Sequence, residues 1–154
     1  MQENFPGVVV ILVNEKRDLF ILQKKDNSHP IVGARGKLSI IGGSLEQGET
    51  PLQALGRELF EEIDNMQVVD SILKNCVFWK DFTLPRAEFG PGKYLCTVFV
   101  AVGDMPTFAF WADEIYAKDG LNEGTAELHS PLIIQFGKFI CSLDMVMQDF
   151  VQNY

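Results

Sequence analysis

Residues 42–65 read GGSLEQGETPLQALGRELFEEIDN, and this stretch decides the fold. A glycine turn at Gly42-Gly43 leads into a short helix with a well-specified start. Thr50 is a good N-cap, Pro51 suits the first helical position, and Gln53 completes a Thr-x-x-Gln capping box. Leu52, Leu55, Leu59 and Ile63 recur at helical spacing and predict one apolar stripe. Glu58, Glu61 and Glu62 fall at i, i+3 and i+4 and share a second face. At about 100° per residue, that face lies roughly a third of a turn from the stripe.

The acidic face is unfavourable for a helix by itself. Like charges at i, i+4 destabilise by about 0.2–0.5 kcal/mol per pair. Glu61 and Glu62 also stand near the C-terminal end, where the helix dipole disfavours anions, and Asp64 adds a further negative charge. A hard cation relieves this repulsion, because Mg²⁺ and Mn²⁺ prefer clustered carboxylate oxygens. Taken alone, the cluster reads first as a solvated acidic face on an ordinary surface helix.

The spacing of the whole stretch narrows the choice. Gly43, Glu49, Arg57, Glu58, Leu59, Glu61 and Glu62 reproduce G-x5-E-x7-R-E-U-x-E-E, where U is bulky and aliphatic. This resembles the signature box of the MutT/Nudix hydrolase family. The box normally ends x-G-U, and here those last two positions are Asp64 and Asn65. The glycine of the pattern ends the helix in a left-handed conformation, which Asn65 or Asp64 itself can take at some cost. The departure predicts a changed helix exit, up to one residue longer.

The resemblance covers almost the whole chain and implies the Nudix α/β/α sandwich, a mixed sheet between helices. It implies that Glu58, Glu61 and Glu62, with the carbonyl of Gly42, ligate Mg²⁺ or Mn²⁺. Gly43, Glu49 and Arg57 carry over as structural support, the Arg57–Glu49 pair bridging loop and helix. A fourth carboxylate from a late loop carries over to Glu123, with Glu127 second; Glu58 or Glu123 is the general base. Basic residues at the end of an early strand carry over to Lys25 or its neighbour Lys24 for substrate phosphates, with Arg35 as a further positive charge.

Composition sets the bounds. The chain has 154 residues, 47% of them apolar, which suits one domain (1–154) with a proper core. Its net charge of −8 makes it a poor electrostatic partner for nucleic acid or anionic membrane. The first residues lack a basic region before their apolar run, so no secretory signal is expected, and no uncharged apolar run is long enough to span a bilayer. Cys76, Cys96 and Cys141 are an odd count without metal spacing, so reduced thiols and a cytoplasmic location are expected.

Along the chain, Val8–Val13 predicts a buried strand and Leu19–Gln23 its hairpin partner. His29 lies in a loop rich in turn formers. Lys37–Ile41 predicts a short strand entering the glycine turn. Gly56, mid-helix, suggests close packing against the sheet. Gln67–Leu73 and Cys76–Lys80 read as strands, and Trp79–Gly92 as a loop or hairpin arm whose Trp79, Phe82, Arg86 and Phe89 offer faces for a nucleobase or anchors for the loop. Lys93–Val102 is apolar on both faces and predicts a central strand. Some of Gly103–Leu128 should pair into the sheet. Ser130-Pro131 start a last helix running to about Val151, whose wide apolar stripe leaves room for a homodimer contact.

What the resemblance implies is hydrolysis of a pyrophosphate bond in a nucleoside diphosphate linked to a group X, giving a nucleoside monophosphate and phosphoryl-X. Two other expectations stay open: a Nudix-fold module that binds a nucleotide or protein without turnover, and a hydrolase of a non-nucleoside diphosphate.

Overall fold

The computed structural model describes residues 3–117 and 124–154, with the side chains of 116 and 117 excepted. The run of β-branched residues at 8–13 lies in strand β1 (Asn4–Asn14), where Val8–Val13 are all buried. β1 is central because both its faces are apolar. It pairs antiparallel with β2 (Phe20–Lys25) and parallel with β6 (Lys93–Gly103). β2 continues to β3 (Leu38–Ser39), and β6 to β5 (Cys76–Pro85), giving the order β3-β2-β1-β6-β5. β4 (Ile41–Ser44) also pairs with β1, and β7 (Gly124–His129) with β2. The sheet is therefore mixed, with one parallel pair at its centre.

Helices cover both faces. Leu55, Leu59 and Ile63 of α1 (Pro51–Ile63), Val68, Val69 and Ile72 of α2 (Met66–Asn75), and Phe108 and Trp111 of α3 (Met105–Ala117) form one core with Val8, Val10 and Leu12. Leu143, Val146, Met147 and Phe150 of α5 (Leu143–Asn153) form the other with Val9, Ile11 and Val13. The alternation of β1 side chains between the two cores is the pleat of a strand covered on both sides.

α1 starts as its sequence dictates: Gln53 N–H donates to Thr50 Oγ1 at 3.2 Å, and Thr50 N–H donates to Gln53 Oε1 at 3.0 Å. Its stripe differs in one place. Leu52 is half exposed, and Ala54 is buried instead. The helix ends at Ile63, with Asp64 in the left-handed conformation (φ 51°, ψ 43°) at the position of the box glycine. The exit is thus not one residue longer. Asn65 then caps α2, its Oδ1 accepting from Gln67 and Val68 N–H.

Five other expectations need correction. Residues 67–73 are helical, because Val68, Val69 and Ile72 face the core at helical spacing behind the Asn65 cap. Gly42 and Gly43 are not a turn but lie within extended β4, neither with positive φ; the left-handed glycine of this connection is Gly48 (φ 84°). The partner changes at Ile40, so residues 37–41 are split between β3 on β2 and β4 on β1. The last helix is broken into α4 (Ile133–Phe136) and α5, separated by Gly137 and by Cys141 and Ser142 at positive φ. Part of residues 103–128 does join the sheet as β7, but α3 precedes it, with Thr107 N–H capped by Asp104 Oδ1 at 2.9 Å. Gly56 faces α2 rather than the sheet.

Candidate active site

A cleft of about 360 Å³ opens where β4 meets α1. Gly42, Gly43, Glu58, Glu61 and Glu62 line it, with Lys25, Ser39 and Tyr94 from the sheet. His29, Arg86, Phe89 and Cys141 line it from the loops. Helical spacing brings the three carboxylates to this one opening. They differ in setting: Glu61 is half exposed, Glu58 is largely covered, and Glu62 is buried.

The two glycines explain how closely the backbone approaches. A β-carbon on Gly42 would overlap the carbonyl of Val8, its antiparallel neighbour's flank. A β-carbon on Gly43 would overlap the carboxylate of Glu58. The need for glycine here is steric and owes nothing to backbone conformation.

Arg57 organises the loop between β4 and α1. Its Nε and Nη2 donate to Glu49 Oε2 and Oε1, both at 2.8 Å, a bidentate pair. Nη2 also donates to the Ser44 carbonyl at 2.9 Å, and Nη1 to Glu58 Oε1 at 2.9 Å. Glu46 N–H donates to Glu49 Oε1 at 2.8 Å. One guanidinium thus ties the end of β4, the loop and α1 together. Hydrogen bonding from Arg57, then from Glu46 N–H, holds the Glu49 carboxyl at about 2, well below its ordinary value.

On the sheet side, Lys25 Nζ donates to Gln23 Oε1 at 3.0 Å, and Gln23 Nε2 donates to Glu62 Oε2 at 3.2 Å. All three residues are buried. Lys24 and Arg35 are not among the residues lining the cleft. Lys24 lies 4.0 Å from Glu127 across the β2–β7 pair. Arg35 is turned to the His29 carbonyl at 2.8 Å. Glu127 holds His129 Nε2 at 2.7 Å on β7. Glu123 lies outside the described residues.

The far wall is made of residues with weak sequence signals. Arg86 sits 3.6 Å over the Phe5 ring, and His29 meets Phe89 edge-on at 6.1 Å. Glu88 binds this wall together, accepting from Cys141 N–H at 2.5 Å and from Lys37 Nζ at 3.4 Å. Trp79 instead packs with Phe82, Phe150 and Tyr154 against the second core, and neither Trp79 nor Phe82 lines the cleft. His29 and Glu88 were not separable from ordinary loop residues by pattern, because their partners are distant in sequence. Burial pushes the Cys141 thiol up to about 11, so it stays protonated at neutral pH and is a poor nucleophile.

The site's donors are carboxylate oxygens with backbone carbonyls nearby, the chemistry that suits Mg²⁺ or Mn²⁺. Among the described residues, no group of three or more His, Cys, Asp or Glu side chains stands placed to hold a metal ion by itself. Arg57 draws on Glu58, and Gln23 on Glu62. That arrangement fits a cation that keeps several of its own waters and shares the rest of its shell with substrate phosphates.

The NUDIX domain family model matches residues 3–114. The chain belongs to the Nudix family. It is 42% identical over 55 residues to the 8-oxo-dGTP diphosphatase of Escherichia coli (strain K12), an alignment covering 36% of this chain and 40% of that relative. Its fold is similar to that of a bifunctional NMN adenylyltransferase/ADP ribose pyrophosphatase from Francisella tularensis complexed with AMP and Mn ion (TM-score 0.67, 18% identity, 99% of this chain and 42% of that one). It is also similar to a MutT protein from Methanosarcina mazei Go1 (TM-score 0.63, 17% identity, 98% of this chain and 95% of that one). At these identities the two structures show a shared fold, the Nudix α/β/α sandwich. This chain spans less than half the length of the first two relatives in alignment. No helix among the described residues is long and apolar enough to cross a membrane.

Proposed function

We propose that the protein is a metal-dependent pyrophosphohydrolase acting on a nucleoside diphosphate linked to another group. The carrying observation is the convergence of Glu58, Glu61 and Glu62 on one cleft with Gly42, Gly43 and the buried Lys25. The names of its relatives support this reading: one is an 8-oxo-dGTP diphosphatase, and another is an ADP ribose pyrophosphatase complexed with AMP and Mn ion.

Glu58, Glu61 and Glu62, with the Gly42 carbonyl, would hold Mg²⁺ or Mn²⁺. Bound there, the cation offsets substrate charge, polarises the phosphate and lowers the pKa of the attacking water. Lys25 presents its ammonium toward the cleft for a phosphate oxygen. Arg57 and Glu49 keep the β4–α1 loop fixed behind the carboxylates. Phe89, Arg86 and His29 give the far wall flat surfaces suited to a base or sugar. Attack by water at phosphorus splits the pyrophosphate bond into a nucleoside monophosphate and phosphoryl-X. Glu58 serves as general base among the described residues, with Glu123 as the loop candidate.

A panel of nucleoside triphosphates, dinucleoside polyphosphates, nucleotide sugars and dinucleotide cofactors tests this, with Mg²⁺, with Mn²⁺ and with chelator. Monophosphate release that chelator abolishes is the expected result. Nucleotide binding without release would instead make the protein a binding module.

A further inference from the structure

We infer that Gln23 is a positioning residue that orients Glu62 and Lys25 together, so that the carboxylate meant for the metal and the ammonium meant for phosphate are held by one amide. This rests on the proposed function. Gln23 occupies β2 beside Ile21 and Leu22, both fully buried, where an apolar residue is the default. Gln23 itself is only 2% exposed. Burying an amide is unfavourable unless both its ends are bonded, and here both are. Lys25 is a donor only, and the Glu62 carboxylate is an acceptor only. The amide therefore has one orientation, Oε1 toward Lys25 at 3.0 Å and Nε2 toward Glu62 at 3.2 Å.

The geometry explains why β2 carries a polar pair two residues apart. Residues 23 and 25 project from the same face of the strand, and Glu62 comes to that face from α1. Gln23 accepts from Lys25 and donates to Glu62, and so ties the ammonium and the carboxylate to one amide. Partners of this kind around a metal ligand typically affect affinity or activity 10–100-fold.

The test is Gln23→Met, close in volume and without hydrogen bonds. Mn²⁺ binding to the substrate-free protein, read by electron paramagnetic resonance, should weaken about 10–100-fold. In turnover, KM should rise and kcat should fall. Unchanged Mn²⁺ binding and unchanged KM, with only a lower melting temperature, would overturn the assignment and leave Gln23 a packing residue. If Gln23→Met does not fold, the side-chain amide resonance of Gln23 in ¹⁵N-labelled wild type decides. It should shift as Mg²⁺ saturates the wild type and stay still in Glu62→Gln; an unmoved wild-type resonance overturns the assignment. Wild type that neither binds Mn²⁺ nor turns over any nucleotide removes the proposed function and this inference with it. Active wild type with an unaltered Gln23→Met removes this inference alone.

Discussion

The Glu58 carboxylate lies against the Cα of Gly43 so closely that a β-carbon there would collide with its terminal atoms. The obstructing group is the far end of a flexible side chain, which can swing aside. Gly43→Ala should therefore leave the melting temperature nearly unchanged while moving Glu58 off its position. Misplacement by about 1 Å at a reacting centre costs about 100-fold. Turnover at saturating metal should fall by about that factor, and full activity would show that Glu58 has no fixed role.

Glu49 supplies a pH signature. Its carboxyl sits at about 2 in the folded protein, below the ordinary 4.5, because Arg57 hydrogen-bonds the charged form. A depressed folded value contributes stability that is fully present above about pH 4.5 and is lost as pH falls toward 2. Glu49→Gln should be less stable than wild type at neutral pH. The difference should shrink across that acid window, as read by urea unfolding at several pH values.

Gly56 is an unused opportunity for stabilisation. It lies within α1, and an added β-carbon would meet only Leu73 Cδ1, at an ordinary 3.7 Å. Glycine in a helix interior is less favourable than alanine by about 0.8–1.0 kcal/mol. Gly56→Ala should raise unfolding free energy by up to about 1 kcal/mol, with catalysis unchanged.

Glu88 holds the far wall through Cys141 N–H and Lys37 Nζ, joining three loop segments. Charge-assisted bonds of this kind are among the stronger ones. Glu88→Ala should loosen His29, Phe89 and Cys141 together. KM should rise about tenfold while kcat stays within about twofold, because the α1 carboxylates are held by other partners.

What the sequence made legible was local. The capping box at Thr50, the Val8–Val13 run and the box charges each act within a few residues of where they stand, so α1, β1 and the acidic face followed directly. Residues 67–73 read as a strand because valine and isoleucine favour strands, yet the Asn65 cap and the core-facing spacing make them helical. The break before α5 was hidden because the apolar stripe continues across Gly137 and the two left-handed residues. At the site, Lys24 and Lys25 were indistinguishable by type. The pleat separates them, sending Lys25 to the cleft and Lys24 toward Glu127. Gln23 gave no signal, since its meaning depends on Glu62, 39 residues away.

The proposed function stands on the α1 carboxylates acting as a metal-dependent hydrolytic site. The most direct measurement is nucleoside monophosphate release by wild type and Glu62→Gln, each with Mg²⁺ and with chelator, alongside their melting curves. Release only by wild type with Mg²⁺, and a folded but inactive Glu62→Gln, are the expected results. Release that persists in chelator, or wild-type rates in Glu62→Gln, would contradict the proposed function.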